Sequence, residues 1–238
     1  MVSDDYKTLL KDGEADISVE EAVELLDLAL ENNRTDSVHI SLNKVSRSGY
    51  RAAEKVDPAS VEGLANDLVD RRDKGIGGCR NVARIFNYVR DEVEYNNVGS
   101  GFNFEPEKTL KRGGNCVDQS VLLCSLLESQ GFTTILFSIG SSSSGHHTCA
   151  GVCFMTKDLT KVWNDLAKFY TDGLGGTKFS FTSHVPVDEN HKFTVADPEF
   201  SNYVGDISSL VDDGYCQRRS EGWNFYNLKR VEKPSDYF

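Results

Sequence analysis

Long apolar runs are absent from this 238-residue chain. No stretch approaches the roughly 18 apolar residues that a membrane-spanning helix needs, so we predict a protein without a membrane segment. The opening residues, Met1–Tyr6, are acidic and lack the basic and apolar regions of a signal peptide. We therefore expect a cytoplasmic protein, or a component of a virion or another assembly.

Basic residues are scarce relative to acidic ones. The chain has 26 Lys and Arg against 37 Asp and Glu, which gives a formal net charge of -11. No basic cluster offsets this excess, and a nucleic-acid-binding surface needs one. The balance argues against nucleic acid as a partner, while 39% hydrophobic and 26% charged residues are typical of a globular protein.

The six cysteines include no Cys-x-x-Cys pair, the spacing that is common in zinc sites and redox motifs. Cys149 and Cys153 are four residues apart and lie near His146 and His147, which hints at zinc. The strand periodicity there gives poor tetrahedral closure, however. Several cysteines fall in apolar periodic segments, where reduced, buried thiols are usual. We therefore expect free thiols, no metal and no cofactor.

The most informative stretch is Lys111–Leu127, where two glycines and an asparagine are followed at once by apolar residues at helical spacing. Gly131 closes this run in the manner of a C-terminal cap. The pattern predicts a helix whose first turn carries Cys116. Unpaired amides and the helix dipole at such a position favour a thiolate over a thiol. Cys116 is therefore either a nucleophile or a small core residue at a helix start.

Helices precede strands along the chain. The apolar spacing predicts helices that begin near residues 58, 79 and 116. Strands are predicted at 132–139, 147–154, 161–165, 179–182, 193–196 and 223–226. This order predicts an α+β fold in which an antiparallel sheet packs on the cysteine helix. We place a mainly helical N-terminal appendage at residues 1–75 and the main domain at residues 76–238.

Thiol chemistry needs a base near the sulfur and a third group that orients the base. His146 and His147 start the strand after a serine-rich loop, and adjacent strand residues face opposite ways, so only one of them can serve. Asp197 ends a later strand and could hold the imidazole tautomer. Asp165 is a rival for that third position.

Five sequence features surround the cysteine in a characteristic order. They read as Val93-Glu94-Tyr95, Pro106 to Leu110, Gly114-Asn115-Cys116, Asp118, and Leu122-Leu123 to Gly131. With them, residues 80–200 resemble the transglutaminase-like core shared by transglutaminases, microbial cysteine proteases and peptide N-glycanases. That family has an aromatic residue at a helix end, a Pro and Leu before Gly-x-Cys, an Asp after the Cys, and a Leu-Leu-x-Gly helix tail.

The resemblance implies a papain-like core in which Cys116 is the nucleophile, His147 the base and Asp197 the orienting carboxylate. The family's His heads a strand and its Asp is commonly followed by Pro, as both are here. Two departures stand out. Many relatives carry His-Ala-Trp-Val-Glu where this chain has His147–Gly151, and the long interval before Asp197 leaves room for an insertion at about residues 157–190.

The resemblance also implies amide-bond chemistry through an acyl-enzyme, in which water gives hydrolysis and an amine gives acyl transfer. The Cys116 amide would contribute to the oxyanion hole, with Asn103 or Asn115 as candidates for the second donor. Small microbial relatives are more often proteases or amidases than calcium-regulated cross-linkers, and Asp212-Asp213-Gly214 is too short for a calcium loop. We favour hydrolysis of a protein or peptide substrate. The alternative is a non-catalytic transglutaminase-like module that serves binding or assembly in a larger microbial or viral complex.

Overall fold

A computed structural model of the chain describes residues 52–73, 75–96, 105–141, 145–154, 156, 159–174, 184–186, 192–219, 222–225 and 230–232. The chain divides into two compact units, residues 1–51 and residues 52–238, and every described residue belongs to the second. The predicted appendage at residues 1–75 lies mostly outside the described residues, so its separate status stays a prediction. Its last helix, Pro58–Leu68, falls within the second unit.

The helices of the described residues begin where the sequence carries start signals. They are α1 (Pro58–Leu68), α2 (Cys79–Glu92), α3 (Pro106–Arg112), α4 (Cys116–Ser129), α5 (Leu159–Leu174) and α6 (Ser208–Asp212). The predicted starts at residues 58, 79 and 116 are confirmed. Helix α1 begins at Pro58 after Asp57, whose carboxylate accepts hydrogen bonds from two amides of the first turn. None of these helices combines the length and apolarity needed to cross a membrane.

The strands form one antiparallel sheet and a separate hairpin. They are β1 (Thr133–Ser141), β2 (Gly145–Cys153), β3 (His184–Pro186), β4 (Lys192–Ala196), β5 (Cys216–Arg219), β6 (Gly222–Phe225) and β7 (Arg230–Glu232). The sheet order is β3-β4-β2-β1-β7, and β5 pairs with β6. The predicted α+β fold is confirmed, with β1, β2, β4 and β6 near their predicted positions. The strand predicted at residues 179–182 lies outside the described residues.

The strand predicted at residues 161–165 is wrong, because this segment lies inside helix α5. Val162, Leu166 and Tyr170 recur at four-residue intervals and are all buried. That spacing defines one face of a helix, and α5 packs against α2. The five-residue window is too short to reveal the period, and its Val and Trp favour a strand.

Helix α4 is the central element of the described fold. Every residue from Asp118 to Leu127 is buried, and the helix packs against α1, α2, α3, β1 and β2. The Ser120 hydroxyl donates to the Thr148 carbonyl of β2 at 3.1 Å. These contacts fix the start of α4 relative to the strand that carries the predicted base.

One face of the sheet carries both the core and the predicted base. Alternate β1 residues Ile135, Phe137 and Ile139 are buried in one cluster. The β1–β2 register places Cys149 opposite Phe137 and His147 opposite Ile139. Because directly opposed residues of an antiparallel pair share a face, His147 and Cys149 stand on the same side of the sheet as this cluster.

Candidate active site

Cys116 is the first residue of helix α4, and Asn115 is its N-cap. The Asn115 side-chain oxygen accepts hydrogen bonds from the amides of Val117, at 2.9 Å, and Asp118, at 3.2 Å. The Asp118 carboxylate accepts in return from the Asn115 amide at 3.0 Å. This reciprocal capping box fixes the turn that carries the sulfur. The prediction that Cys116 lies in the first turn of a helix is confirmed.

The two glycines before the cap allow the cysteine turn to approach a neighbouring segment. A Cβ on Gly113, whose φ is +71°, would lie 2.2 Å from the Glu94 carbonyl oxygen. The Gly114 amide donates to the Glu94 carbonyl at 3.1 Å, and the Asn96 amide donates to the Gly114 carbonyl at 2.9 Å. The cysteine turn is thereby joined to the segment that carries Tyr95.

His147 and Asp197 form a buried pair on neighbouring strands. His147 Nε2 lies 2.7 Å from Asp197 Oδ2, and the two side chains are only 3% and 1% exposed. Asp197 follows strand β4, which pairs with β2 so that Ala196 stands opposite Ala150. The contact with Asp197 fixes the orientation of the imidazole, so that its other nitrogen, Nδ1, faces away from Asp197.

The sulfur of Cys116 lies close to the same imidazole. Donor atoms of Cys116, His147 and Glu199 are all within 4.8 Å of one another, and Glu199 Oε2 is 3.4 Å from His147 Nδ1. Cys116 is half-buried, whereas the other cysteines are buried. The structure thus brings Cys116, His147 and Asp197 together and adds a second carboxylate to them.

Opposing effects set the protonation of His147. Burial disfavours the imidazolium, whereas the charge of Asp197 and hydrogen bonds with Asp197 and Cys116 favour it, and the resulting pKa of His147 is well above its usual value. Burial, reinforced by the Asp197 charge, raises the pKa of Cys149. Cys149 is therefore a neutral thiol near neutral pH, and it donates to Asp197 Oδ2 at 3.5 Å. The Asp197 carboxylate is the anion that stabilises the imidazolium.

Aromatic rings enclose the imidazole on the side of the sheet core. The Phe200 ring lies edge-on at 4.7 Å between centroids, and the Tyr215 ring is tilted at 5.6 Å. Such contacts restrict rotation of the ring and exclude water from it. The base is therefore held by packing as well as by its carboxylate.

The rival carboxylate, Asp165, has other partners. Its Oδ1 accepts from Arg80 Nε at 3.1 Å, and its Oδ2 accepts from the Ile76 amide at 3.0 Å and the Cys79 thiol at 3.5 Å. Asp165 therefore joins helix α5 to the start of α2. Asp197 is the aspartate that contacts the histidine.

The remaining alternatives are only partly described. The side chain of His146 and all of Asn103 lie outside the described residues. The side-chain oxygen of Asn115 serves the helix cap. No disulfide joins any of the six cysteines, all of which lie in the described part of the chain, and Cys149 groups with His147 and Asp197 rather than with Cys153.

Glu199 is the neighbour of the site that sequence reasoning missed. Its amide donates to Asp197 Oδ1 at 3.1 Å, so the residues after strand β4 form a turn stabilised by the aspartate side chain. Burial raises the pKa of Glu199, although the charge of His147 opposes this effect. The available signal was a second carboxylate two residues beyond the predicted aspartate.

The described residues thus form an α+β fold with a candidate cysteine site. In this site, a cysteine at a helix start lies beside a buried histidine–aspartate pair on an antiparallel sheet. Residues 62–166 match the model of the Transglutaminase-like superfamily. The resemblance found in the sequence is therefore confirmed over these residues. The matched residues include Cys116 and His147, whereas Asp197 lies beyond them.

Two further comparisons complete the relationships of the chain. The solved structure of Legionella pneumophila LapG (EGTA-treated) is similar at 11% sequence identity, over 76% of this chain and 92% of that chain, with a TM-score of 0.34. No curated protein matches the chain.

Proposed function

We propose that the chain is a thiol-dependent amide-bond hydrolase that acts on a protein or peptide. Cys116 is the nucleophile, His147 transfers the proton and Asp197 orients His147. The principal support is the 2.7 Å contact between the buried His147 and Asp197 side chains, with the half-buried Cys116 beside the same ring.

In the first step, the Cys116 thiolate, paired with the His147 imidazolium, attacks the amide carbonyl carbon. The new C–S bond forms as the carbonyl electron pair moves to oxygen. The helix cap engages the amides of residues 117 and 118, so the Cys116 amide is the donor at the helix start that would stabilise the oxyanion. Collapse breaks the C–N bond, and His147 gives its proton to the leaving amine.

In the second step, water replaces the thiol. Neutral His147 takes a proton from the water, the resulting hydroxyl attacks the thioester carbonyl, and the C–S bond breaks to release a carboxylic acid. Cys116 leaves as a thiolate beside a protonated His147, which restores the starting pair. The same acyl-enzyme would give a new amide if an amine replaced water. We propose hydrolysis because the family resemblance favours it.

Peptide-resolved labelling with iodoacetamide at pH 7 tests the proposal. The other five cysteines are buried, so native labelling should be confined to Cys116. A free thiol with a pKa of about 8.5 is only ~3% thiolate at this pH. A cysteine that is fully ionised by its histidine partner therefore reacts up to about 30-fold faster than a free thiol. We expect this gain in the native protein and its loss in His147→Ala.

The control variant is Cys116→Ser, which should remove native labelling and any amide hydrolysis found in a subsequent peptide screen. Labelling of Cys116 at the rate of a free thiol, unchanged in His147→Ala, would contradict the proposal. That outcome would leave the alternative of a binding or assembly module.

A further inference from the structure

We propose that Cys116, His147 and Glu199 bind a zinc ion, with Asp197 as the carboxylate behind the histidine. Zinc binding is independent of the proposed hydrolysis. Its consequence, inhibition by occupation of the nucleophile, rests on the proposed function.

The donor atoms and their spacing match zinc. Thiolate sulfur, imidazole nitrogen and carboxylate oxygen are the common protein ligands of this ion, and here one of each lies within 4.8 Å of the other two. His147 Nδ1 and Glu199 Oε2 are 3.4 Å apart. Two ligands that bind zinc at about 2.0–2.1 Å with a tetrahedral angle are themselves ~3.3–3.4 Å apart. The histidine and the glutamate therefore already stand at ligand spacing.

Glu199 has an oxygen without a hydrogen-bond partner in the described part of the chain. Its Oε2 is buried and makes no hydrogen bond there, although it lies close to His147 Nδ1. A buried, unsatisfied carboxylate oxygen is unusual and calls for a compensating group. The carboxylate is also held in place, because Tyr95 shares a hydrogen bond with Glu199. A cation between this oxygen and the imidazole would supply the missing partner.

The histidine has the outer partner that metal-binding histidines usually have. Such a residue almost always donates its second ring N–H to a carboxylate or carbonyl, which fixes the tautomer and strengthens the ligand. His147 Nε2 makes this contact with Asp197 Oδ2 at 2.7 Å. The lone pair of a neutral His147 then lies on Nδ1, the nitrogen that is near Glu199.

Three protein ligands leave a fourth position for water, as in open zinc sites. The half-buried Cys116 provides the approach from solvent. On binding, the Nδ1 proton of the His147 imidazolium goes to solvent, and the electron pairs of Nδ1 and of the Cys116 thiolate form the bonds to zinc. The bound sulfur is then no longer free to attack a carbonyl or iodoacetamide.

A second group of donors competes for the same histidine. Atoms of His147, Cys149 and Asp197 also lie within 4.8 Å of one another, and all three residues are buried. An ion placed there would have to displace the 2.7 Å contact between His147 and Asp197. It would also lose the open approach that Cys116 provides. The group with Glu199 is therefore the one we assign.

The test is a zinc titration of the metal-free full chain against a chromogenic zinc chelator, with Cys116 alkylation as a second readout. We expect one zinc per chain and protection of Cys116 from iodoacetamide that EDTA reverses. Glu199→Gln keeps the size of the side chain and removes its charge, and should weaken binding at least about tenfold. Cys116→Ser should weaken it similarly, whereas Cys149→Ser should bind as the wild type does. Circular dichroism of each variant verifies folding.

Other outcomes overturn the assignment. Absence of zinc binding, or equal affinity in Glu199→Gln and the wild type, contradicts it. Weakening by Cys149→Ser but not by Glu199→Gln would move the ion to the buried group. Rapid alkylation of metal-free Cys116 without zinc binding leaves the proposed hydrolysis and removes the zinc site. Zinc binding with slow, histidine-independent alkylation of Cys116 keeps the zinc site and removes the proposed hydrolysis.

Discussion

Asp197 and Asp165 lie in two regions of the fold with nearly the same surroundings. Each carboxylate accepts a hydrogen bond from a backbone amide at 3.0–3.1 Å. Each accepts one from a cysteine thiol at 3.5 Å, Cys149 at Asp197 and Cys79 at Asp165. Each also contacts a nitrogen of a cationic side chain. The kinds of hydrogen-bond partner therefore do not distinguish a candidate site carboxylate from a structural one.

The cationic partner makes the difference. Asp165 contacts Arg80, which keeps its proton under all ordinary conditions and cannot transfer it. Asp197 contacts His147, which can give and take a proton and has a thiol, Cys116, near its ring. The role of a carboxylate at a site thus depends on the group that it orients.

The largest effect that separates the two regions is expected in the alkylation of Cys116. Asp197→Asn keeps the shape of the side chain and removes the anion that stabilises the imidazolium. Hydrogen bonds to charged groups are worth about 1.4 kcal/mol more than neutral ones, so labelling at pH 7 should slow about tenfold. The matched variant Asp165→Asn should label at the wild-type rate. Equal slowing in both variants would show that the two carboxylates act only through general stability.

A smaller effect, expected at Asp165, concerns the free energy of unfolding. Asp165→Asn leaves Arg80 and the Ile76 amide with weaker partners, and should lower this free energy by about 1–3 kcal/mol at pH 7. Chemical denaturation followed by circular dichroism measures the change. A stability equal to that of the wild type would mean that solvent compensates the partly exposed Arg80 fully.

The pH dependence of that difference has a definite sign. Burial alone would raise the pKa of Asp165, but hydrogen bonds from Arg80, the Ile76 amide and Cys79 lower it below its usual value. A lowered carboxyl pKa contributes stability that is complete above the unfolded value and is lost as the pH falls through the folded value. The difference between wild type and Asp165→Asn should therefore be constant from neutral pH to about pH 5 and shrink below about pH 4. A difference that grows in acid would contradict this account.

Local signals explain how much of the fold the sequence predicts. The start of helix α4 depends on neighbours in sequence, since Asn115 and Asp118 cap it reciprocally. The alternating residues of strands β1 and β2 are equally local. The fold class, the helix start and the first strands could therefore be predicted from the residues themselves.

Long-range contacts account for what sequence reasoning missed. Asp165 and Arg80 are 85 residues apart, and nothing in either local pattern announces their pairing. The contact between Glu199 Oε2 and His147 Nδ1 forms only once strand β4 has placed its turn beside His147. The pairing of His147 with Asp197, 50 residues apart, was expected through the family resemblance and not from spacing alone.

The smallest expected effect concerns the two thiols that lie beside the carboxylates. Burial, with a further contribution from Asp165, raises the pKa of Cys79 to about 12. Burial, again with an aspartate contributing, raises the pKa of Cys149. A thiol with a pKa of about 12 has on the order of one thiolate in 10⁵ at pH 7, so neither cysteine should be alkylated in the native protein.

Asp165→Asn and Asp197→Asn then test which cause protects the thiols. Because burial is the larger cause and persists in both variants, Cys79 and Cys149 should remain unlabelled in them and react only after denaturation. Peptide mapping before and after unfolding measures this directly. Native labelling of Cys79 in Asp165→Asn, or of Cys149 in Asp197→Asn, would show that the carboxylate protects the thiol. The same aspartate would then stabilise a cation on one side and suppress a thiolate on the other.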